Sequence, residues 1–157
     1  MIHGSPAMSP GIRLRSYKPD DFETLCEIDQ ACYEPAIAYS RREMRNYLRF
    51  PGADCVIADK DGKLVGFCLT AHQQARGYII TIDVLEQFRR QGVGSALLAE
   101  AERRLASHGV EQIGLETATD NETAIAFWQR HGYRTRGVWK GYYPGGRDAF
   151  AMTKALR

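Results

Sequence analysis

The sequence predicts a single α/β (α+β) domain, a mixed and mostly antiparallel sheet of about seven strands flanked by four helices. Three observations carry that expectation. Apolar residues switch between alternation and helical spacing in the order β-α-α-β-β-β-α-β-α-β-β. Asp61-Gly62 lies between two strand-like runs, a hairpin signal. A strand–helix–strand passage over 77–119 requires a crossover, and so a parallel pair inside the sheet.

Each element has its own signal. "IRLRSY", from Ile12 to Tyr17, alternates as a half-buried strand does. Pro19-Asp20-Asp21 starts a helix with acidic residues in its first turn. Phe22, Leu25, Cys26 and Ile28 continue it towards Tyr33, and Pro35 breaks it. Ser40 with Glu43 forms a capping box for a second helix, whose apolar face is Met44, Tyr47 and Leu48. Pro51-Gly52 turns the chain into the hairpin strands Cys55–Ala58 and Leu64–Ala71, and Gly77–Leu85 is a third β-rich run. The turn Arg89–Val93 opens a helix that buries Val93, Leu97, Leu98, Ala101 and Leu105 and ends at His108-Gly109. Glu111–Thr119 is a strand. Asp120-Asn121 opens the last helix, with Ala124, Ile125, Phe127, Trp128 and His131 before Gly132. Two final strands, Tyr133–Tyr143 and Arg147–Leu156, flank Pro144-Gly145-Gly146.

Composition narrows the function classes. The 157 residues suit one domain over 12–157. Residues 1–11, "MIHGSPAMSPG", read as a disordered tail or an expression remnant without the basic start and apolar core of a signal peptide. A net charge of +2 gives no hint of a basic face, so nucleic acid is not an expected partner. No apolar stretch approaches the roughly 18 residues of a membrane helix, so no membrane association is expected. Cys26, Cys32, Cys55 and Cys68 form no C-x-x-C pair and no cluster with zinc-ligand spacing. They are expected to be reduced thiols of a cytoplasmic protein that holds no metal.

The stretch "QFRRQGVGSALL", Gln87 to Leu98, carries the chemistry. A strand precedes it and a helix follows. Gly92 and Gly94 let the backbone turn tightly and admit a ligand close to main-chain N–H groups. The first N–H groups of the helix lack intrahelical partners and carry its positive end, so the turn suits phosphate or pyrophosphate. Arg89, Arg90 and the Ser95 hydroxyl add to it. A Walker A loop would need a Lys after Gly94, and a dinucleotide fingerprint would need Gly where Leu97 stands. Neither ATP nor NAD fits.

The spacing Arg89-x-x-Gly92-x-Gly94 after a strand resembles motif A of the GNAT N-acetyltransferases. The likeness runs from Ile12 to Leu156 and includes "LETATDNETAIAFWQRHGY". Within that superfamily, "IDVLEQFRRQGVGSALL" and "WKGYYPGGRDAFAM" are most similar to the N-terminal protein acetyltransferases, the ribosomal-protein-alanine acetyltransferases among them.

The resemblance implies a site. Ile82, Asp83 and Val84 offer main-chain groups to the pantetheine arm of acetyl-CoA, with the Val84 N–H as oxyanion donor. The gap between splayed parallel strands admits that arm as an added strand. Arg89, Arg90, Gln91, Gly92, Val93, Gly94 and Ser95 take the pyrophosphate. Asn121 contacts the pantetheine, and Phe127 packs on the cofactor. Glu116 stands where the family has its catalytic Glu. Where the family has a Tyr that protonates the thiolate, this chain has Trp128, which is placed with the cofactor-binding residues; its indole N–H can donate a hydrogen bond but keeps its proton near neutrality. Either another group or water protonates the sulfur, with Tyr143 or Tyr142 as the stand-in, or Trp128 only shapes the site. Tyr33, Glu34, Tyr142 and Tyr143 face the acceptor. Two further readings stay open: a small amine in place of a peptide N-terminus, and an acyl-CoA-binding module without turnover. The expected assembly is a monomer or homodimer.

Overall fold

A computed structural model describes residues 10–156 of the chain. Of the tail expected at 1–11, only Pro10 and Gly11 lie within the described residues, as the turn that enters the first strand. The elements are β1 (Ile12–Ser16), α1 (Phe22–Cys32), α2 (Arg41–Leu48), β2 (Asp54–Lys60), β3 (Lys63–Gln73) and β4 (Arg76–Val84). There follow α3 (Val93–Ser107), β5 (Gln112–Ala118), α4 (Glu122–Arg130), β6 (Arg134–Trp139) and β7 (Ala149–Ala155). A single 3-10 turn precedes α1 (Pro19–Asp21) and another follows β4 (Glu86–Phe88). One sheet has the order β1-β2-β3-β4-β5-β7-β6, with β4–β5 its parallel pair.

The sheet separates two cores. On one face Leu25, Ile28 and Met44 of α1 and α2 pack on Ile57, Phe67 and Leu69. On the other, Leu97, Leu98 and Leu105 of α3 join Trp128 and Tyr133 over Val56, Val65, Ile113 and Leu115. β2 and β3 are therefore covered on both faces, which is why they read as unbroken apolar runs instead of alternating. Burial of a side chain such as Leu97 is worth about 1.5–3 kcal/mol. The Ser40–Glu43 capping box forms as the sequence predicts. Asp21 receives both guanidinium arms of Arg15 at 2.9 Å, which ties the start of α1 to β1.

The last hairpin differs from the expectation. β6 stops at Trp139, and Tyr142 and Tyr143 lie in the loop 140–148 instead of on a strand. Gly141, Gly145 and Gly146 all have positive φ, and Pro144 has no N–H for a ladder, so this stretch cannot hold extended pairing.

Two irregularities shape the site. β4 and β5 pair only from Arg76–Gln112 to Tyr78–Gly114, and then diverge. The β3–β4 register slips between Leu69 and Thr70, which leaves Ile80 as a bulge on β4 just where the divergence begins.

Candidate active site

The site is built on the edge of β4 that β5 leaves open. Leu85 N–H bonds to Val65 on β3, and Asp83 and Thr81 face Phe67 and Leu69 of the same strand. By alternation, the main-chain groups of Ile82 and Val84 point the other way, into the gap. Their carbonyls are taken by side chains from α1 and the segment after it. Tyr33 Oη donates to Ile82 O at 3.1 Å, and Cys32 Sγ to Val84 O at 3.5 Å. Tyr39 Oη donates to the Ile80 carbonyl at 3.3 Å. The Ile82 and Val84 N–H groups face the same gap, where an amide-bearing chain can add alongside. The Asp83 side chain is buried away from it.

The glycine turn lies at the mouth of this gap. Gly92 occupies the left-handed region at φ 78° and is the N-cap of α3. No side chain caps that helix, and its first turn holds no acidic residue. α2 and α4 behave differently: Ser40 and Asn121 cap them and Glu43 and Glu122 stand in their first turns. α3 alone of these three keeps its N-terminal N–H groups for an external anion. Arg90, also left-handed at φ 63°, and Arg89 are exposed beside it. Arg89 has a second task, since its Nε donates to Val84 O at 2.9 Å and braces the turn against β4. Gln91 donates to Gln87 O at 3.0 Å. A Cβ on Gly94 would lie 3.4 Å from the Phe127 ring and 3.9 Å from Val84 Cγ2. Gly94 leaves the space between α4 and the β4 edge without a side chain of its own. Phe127 borders that space, and Asn121 accepts the Ala124 N–H at 3.1 Å as the cap of α4.

Glu116 projects from β5 on the far side of the gap. It is half-buried, and burial pushes its carboxyl above the usual range. Tyr142 Oη donates to Glu116 Oε1 at 3.2 Å. Burial first, and then the Glu116 charge, push the Tyr143 hydroxyl up to about 12. Tyr142 and Tyr143 rings meet edge-on at 5.0 Å. One loop, 140–148, thus brings both tyrosines to one carboxylate. Glu34 reaches the same rim but pairs with Arg147 at 2.8 Å, and Arg147 also holds Asp120 at 2.6 Å. Trp128 lies in the core at 5% exposure, between the rings of Phe127 and Tyr133.

Sequence reasoning missed several participants. His131 is one of them: its Nε2 lies 3.0 Å from Ser95 Oγ, and its ring packs on Phe127. Burial holds His131 below the ordinary histidine range, so it stays neutral beside the turn. Tyr39 and Cys32 join the β4 edge, and Arg147 straps three loops. Apart from the His131–Phe127 contact, one helical turn apart, none of these pairings has a local signal, because each joins residues far apart in the chain. Among the described residues no group of three or more His, Cys, Asp or Glu could hold a metal ion, and no helix is long and apolar enough to cross a membrane.

An uncapped helix start beside a splayed strand pair, with a carboxylate across the gap, defines a coenzyme A-dependent acyltransferase. The chain belongs to the acetyltransferase (GNAT) family, whose model matches residues 22–133. It is similar to the N-alpha-acetyltransferase of Saccharolobus solfataricus, 26% identical over 91% of this chain and 92% of that protein. An N-alpha-acetyltransferase of Arabidopsis thaliana is 31% identical over 80% of this chain and 66% of its own length. Among solved structures, Ard1 of Thermoplasma volcanium superposes with a TM-score of 0.85 at 25% identity, covering 94% of this chain and 99% of that one. The ribosomal-protein-S18-alanine N-acetyltransferase of Escherichia coli shares the fold with a TM-score of 0.84 at 24% identity, covering 92% and 94%. The protein is an acetyltransferase of this fold that uses acetyl-CoA.

Proposed function

We propose that the chain transfers acetyl from acetyl-CoA to the α-amino group of a protein or peptide, by direct attack with both substrates bound. The observation that carries this reading is the meeting of Glu116 with Tyr142 and Tyr143 across the gap from the Ile82–Val84 edge. Acetyl-CoA supplies the activated acyl group as a thioester. The residues do the rest. Ile82 and Val84 N–H groups align the arm, and Val84 N–H donates to the carbonyl oxygen as it gains charge. Glu116, raised by partial burial, is a better match to an ammonium than a solvated carboxylate and takes its proton directly or through one water. Tyr143, at about 12, is a weaker acid than an ordinary thiol at about 8.5. It serves the leaving sulfur as a hydrogen-bond donor and leaves the final proton to solvent.

The tyrosines favour a peptide. Tyr33, Tyr142 and Tyr143 offer flat apolar walls to a peptide chain, with the Tyr33 and Tyr142 hydroxyls held by Ile82 O and Glu116. A small polycationic amine would need free carboxylates, and Glu34 and Asp120 at this rim are engaged by Arg147. A thiol-release assay tests the reading. One panel holds short peptides with varied N-termini, alanine-first among them; the other holds polyamines, amino acids and aminoglycosides. Turnover on peptides is the expected result. Turnover confined to small amines would replace the acceptor, and silence on both panels with acetyl-CoA bound would leave a binding module.

A further inference from the structure

Two carboxylates behind the cofactor strand lie in the core without a cation. Asp29 on α1 and Asp83 on β4 are 0% and 1% exposed, and among the described residues neither has an ion-pair partner. Each satisfies one oxygen. Tyr39 N–H donates to Asp29 Oδ2 at 2.7 Å, and Thr81 Oγ1 donates to Asp83 Oδ1 at 2.6 Å. The other oxygen of each, Asp29 Oδ1 and Asp83 Oδ2, is buried with no donor. α1 packs on β4 at this level, so the two carboxyls bear on one another in the dry interior, with the Tyr33 hydroxyl also beside Asp83. Two ionised carboxylates cannot keep that arrangement, because neither has a proton to give and their charges repel in a dry interior. One proton between them turns one orphan oxygen into a donor and the other into its acceptor.

We propose that Asp29 and Asp83 share a single proton and act as positioning residues that clamp the segment 33–39 onto the cofactor strand. The clamp follows from connectivity. Asp83 is part of the strand whose neighbouring residues, Ile82 and Val84, border the gap. Asp29 belongs to α1, and its second oxygen fixes the far end of the segment through Tyr39 N–H. From that segment Tyr33 and Tyr39 reach back to the Ile82 and Ile80 carbonyls. The pair therefore sets how the acceptor side closes on the cofactor side, and this role rests on the acceptor reading above.

The groups facing the pair do not neutralise it. They are Cys26 and Cys32 of α1, Tyr33 and Tyr39 of the segment, Cys55 of β2 and Cys68 of β3. Burial raises every one of them, Cys32 to about 11, so they are uncharged at neutral pH. Arg89 reaches Cys32 with its charge but gives its Nε to Val84 O. Burial, and then Asp29, push Asp83 well above the carboxylate range. Above the ordinary carboxylate range the folded pair holds one proton more than the unfolded chain. Its stabilisation is complete at acid pH and declines as pH rises towards the folded titration of the pair.

The experiment compares wild type with Asp29→Asn, Asp83→Asn, the double Asn variant and Asp29→Ala. An amide in place of either acid keeps the existing acceptor and donates to the other residue permanently. Melting temperatures of wild type and each single Asn variant should diverge in the variant's favour as pH goes from 5 to 8. Parallel curves would overturn the shared proton. The double variant sets two amide NH2 groups against each other and should melt below both singles at every pH; a double as stable as the singles would also overturn it. Asp29→Ala should raise the acceptor KM by about tenfold, the scale of lost buried hydrogen bonds, with acetyl-CoA affinity by calorimetry unchanged. Asp29→Asn should restore that KM. An unchanged KM in Asp29→Ala would remove the positioning role. If wild type acetylates no amine, the proposed acceptor fails while the melting curves still decide the pair.

Discussion

At the scale of single residues, Glu116 shows the conflict between stability and chemistry. Its carboxyl is raised by burial, with Tyr142 pulling slightly the other way. A group raised on folding stabilises fully when protonated, below the unfolded carboxylate range, and loses that contribution as pH rises through its folded value. At neutral pH the ionised Glu116 is therefore a burden on the fold and an asset to proton transfer. Glu116→Gln should raise the melting temperature at neutral pH and lower kcat by about 10²–10⁴. It should also remove the acid limb of the pH–rate profile. A profile that keeps its limb in the Gln variant would exclude Glu116 as the base. Trp128 is the contrasting case. Its ring is wedged between Phe127 and Tyr133 in the core, so Trp128→Phe should cost about 1–3 kcal/mol in denaturant melts. Turnover per folded molecule should stay within about twofold, a ΔΔG‡ under about 0.5 kcal/mol. A much larger fall would put the indole at the reacting atoms. Sequence alone separates the two roles, Glu116 as base and Trp128 as a non-acid, but not the burial of the indole in the core, which is a tertiary property. The Asp29–Asp83 and Ser95–His131 pairs were invisible for the same reason.

At the scale of elements, the start of α3 was the most legible feature. Local backbone chemistry decides it: two glycines, no acidic first turn and no capping side chain can all be read in order along the chain. Gly94→Trp should abolish acetyl-CoA binding in calorimetry while leaving the fold intact, because the indole would occupy the space between Phe127 and Val84. Binding at unchanged affinity would move the cofactor elsewhere. The loop 140–148 was the least legible. "WKGYY" has strand-forming residues, yet Gly141, Pro144, Gly145 and Gly146 end the ladder, and the loop is held by local bonds such as Gly141 N–H to Asp148 Oδ1 together with distant charge. Arg147 joins it to Glu34 and Asp120, and these pairs are largely exposed on the acid side. Arg147→Ala should leave the melting temperature nearly unchanged, within about 1 kcal/mol. It should raise the acceptor KM several-fold, with the KM for acetyl-CoA as the internal control. Equal shifts in both KM values would mean that the strap serves the whole cleft and not the acceptor side.

At the scale of the whole molecule, the sheet must do two incompatible things. It has to be continuous enough to divide two cores, and it has to open between β4 and β5. The opening removes ladder hydrogen bonds that a closed sheet would keep, each worth about 1 kcal/mol. The fold offsets this by covering β2 and β3 on both faces, so that β4 is held from its other edge. Gly66 is one place where that support is close. A Cβ there would lie 2.7 Å from Asp83 O and 3.4 Å from Leu97 Cδ1. The first clash is with main chain and can only be relieved by moving β4 at Asp83 and Val84. Gly66→Ala should therefore lower stability by about 1–3 kcal/mol and weaken acetyl-CoA binding at the same time. Gly137→Ala, on exposed β6 with open space at its Cβ, is the control and should change neither. If Gly66→Ala lost stability but bound acetyl-CoA as tightly as wild type, β4 would be shown to yield without disturbing the gap. The rigid support from β3 would then not be what presents the Val84 N–H to the acyl group.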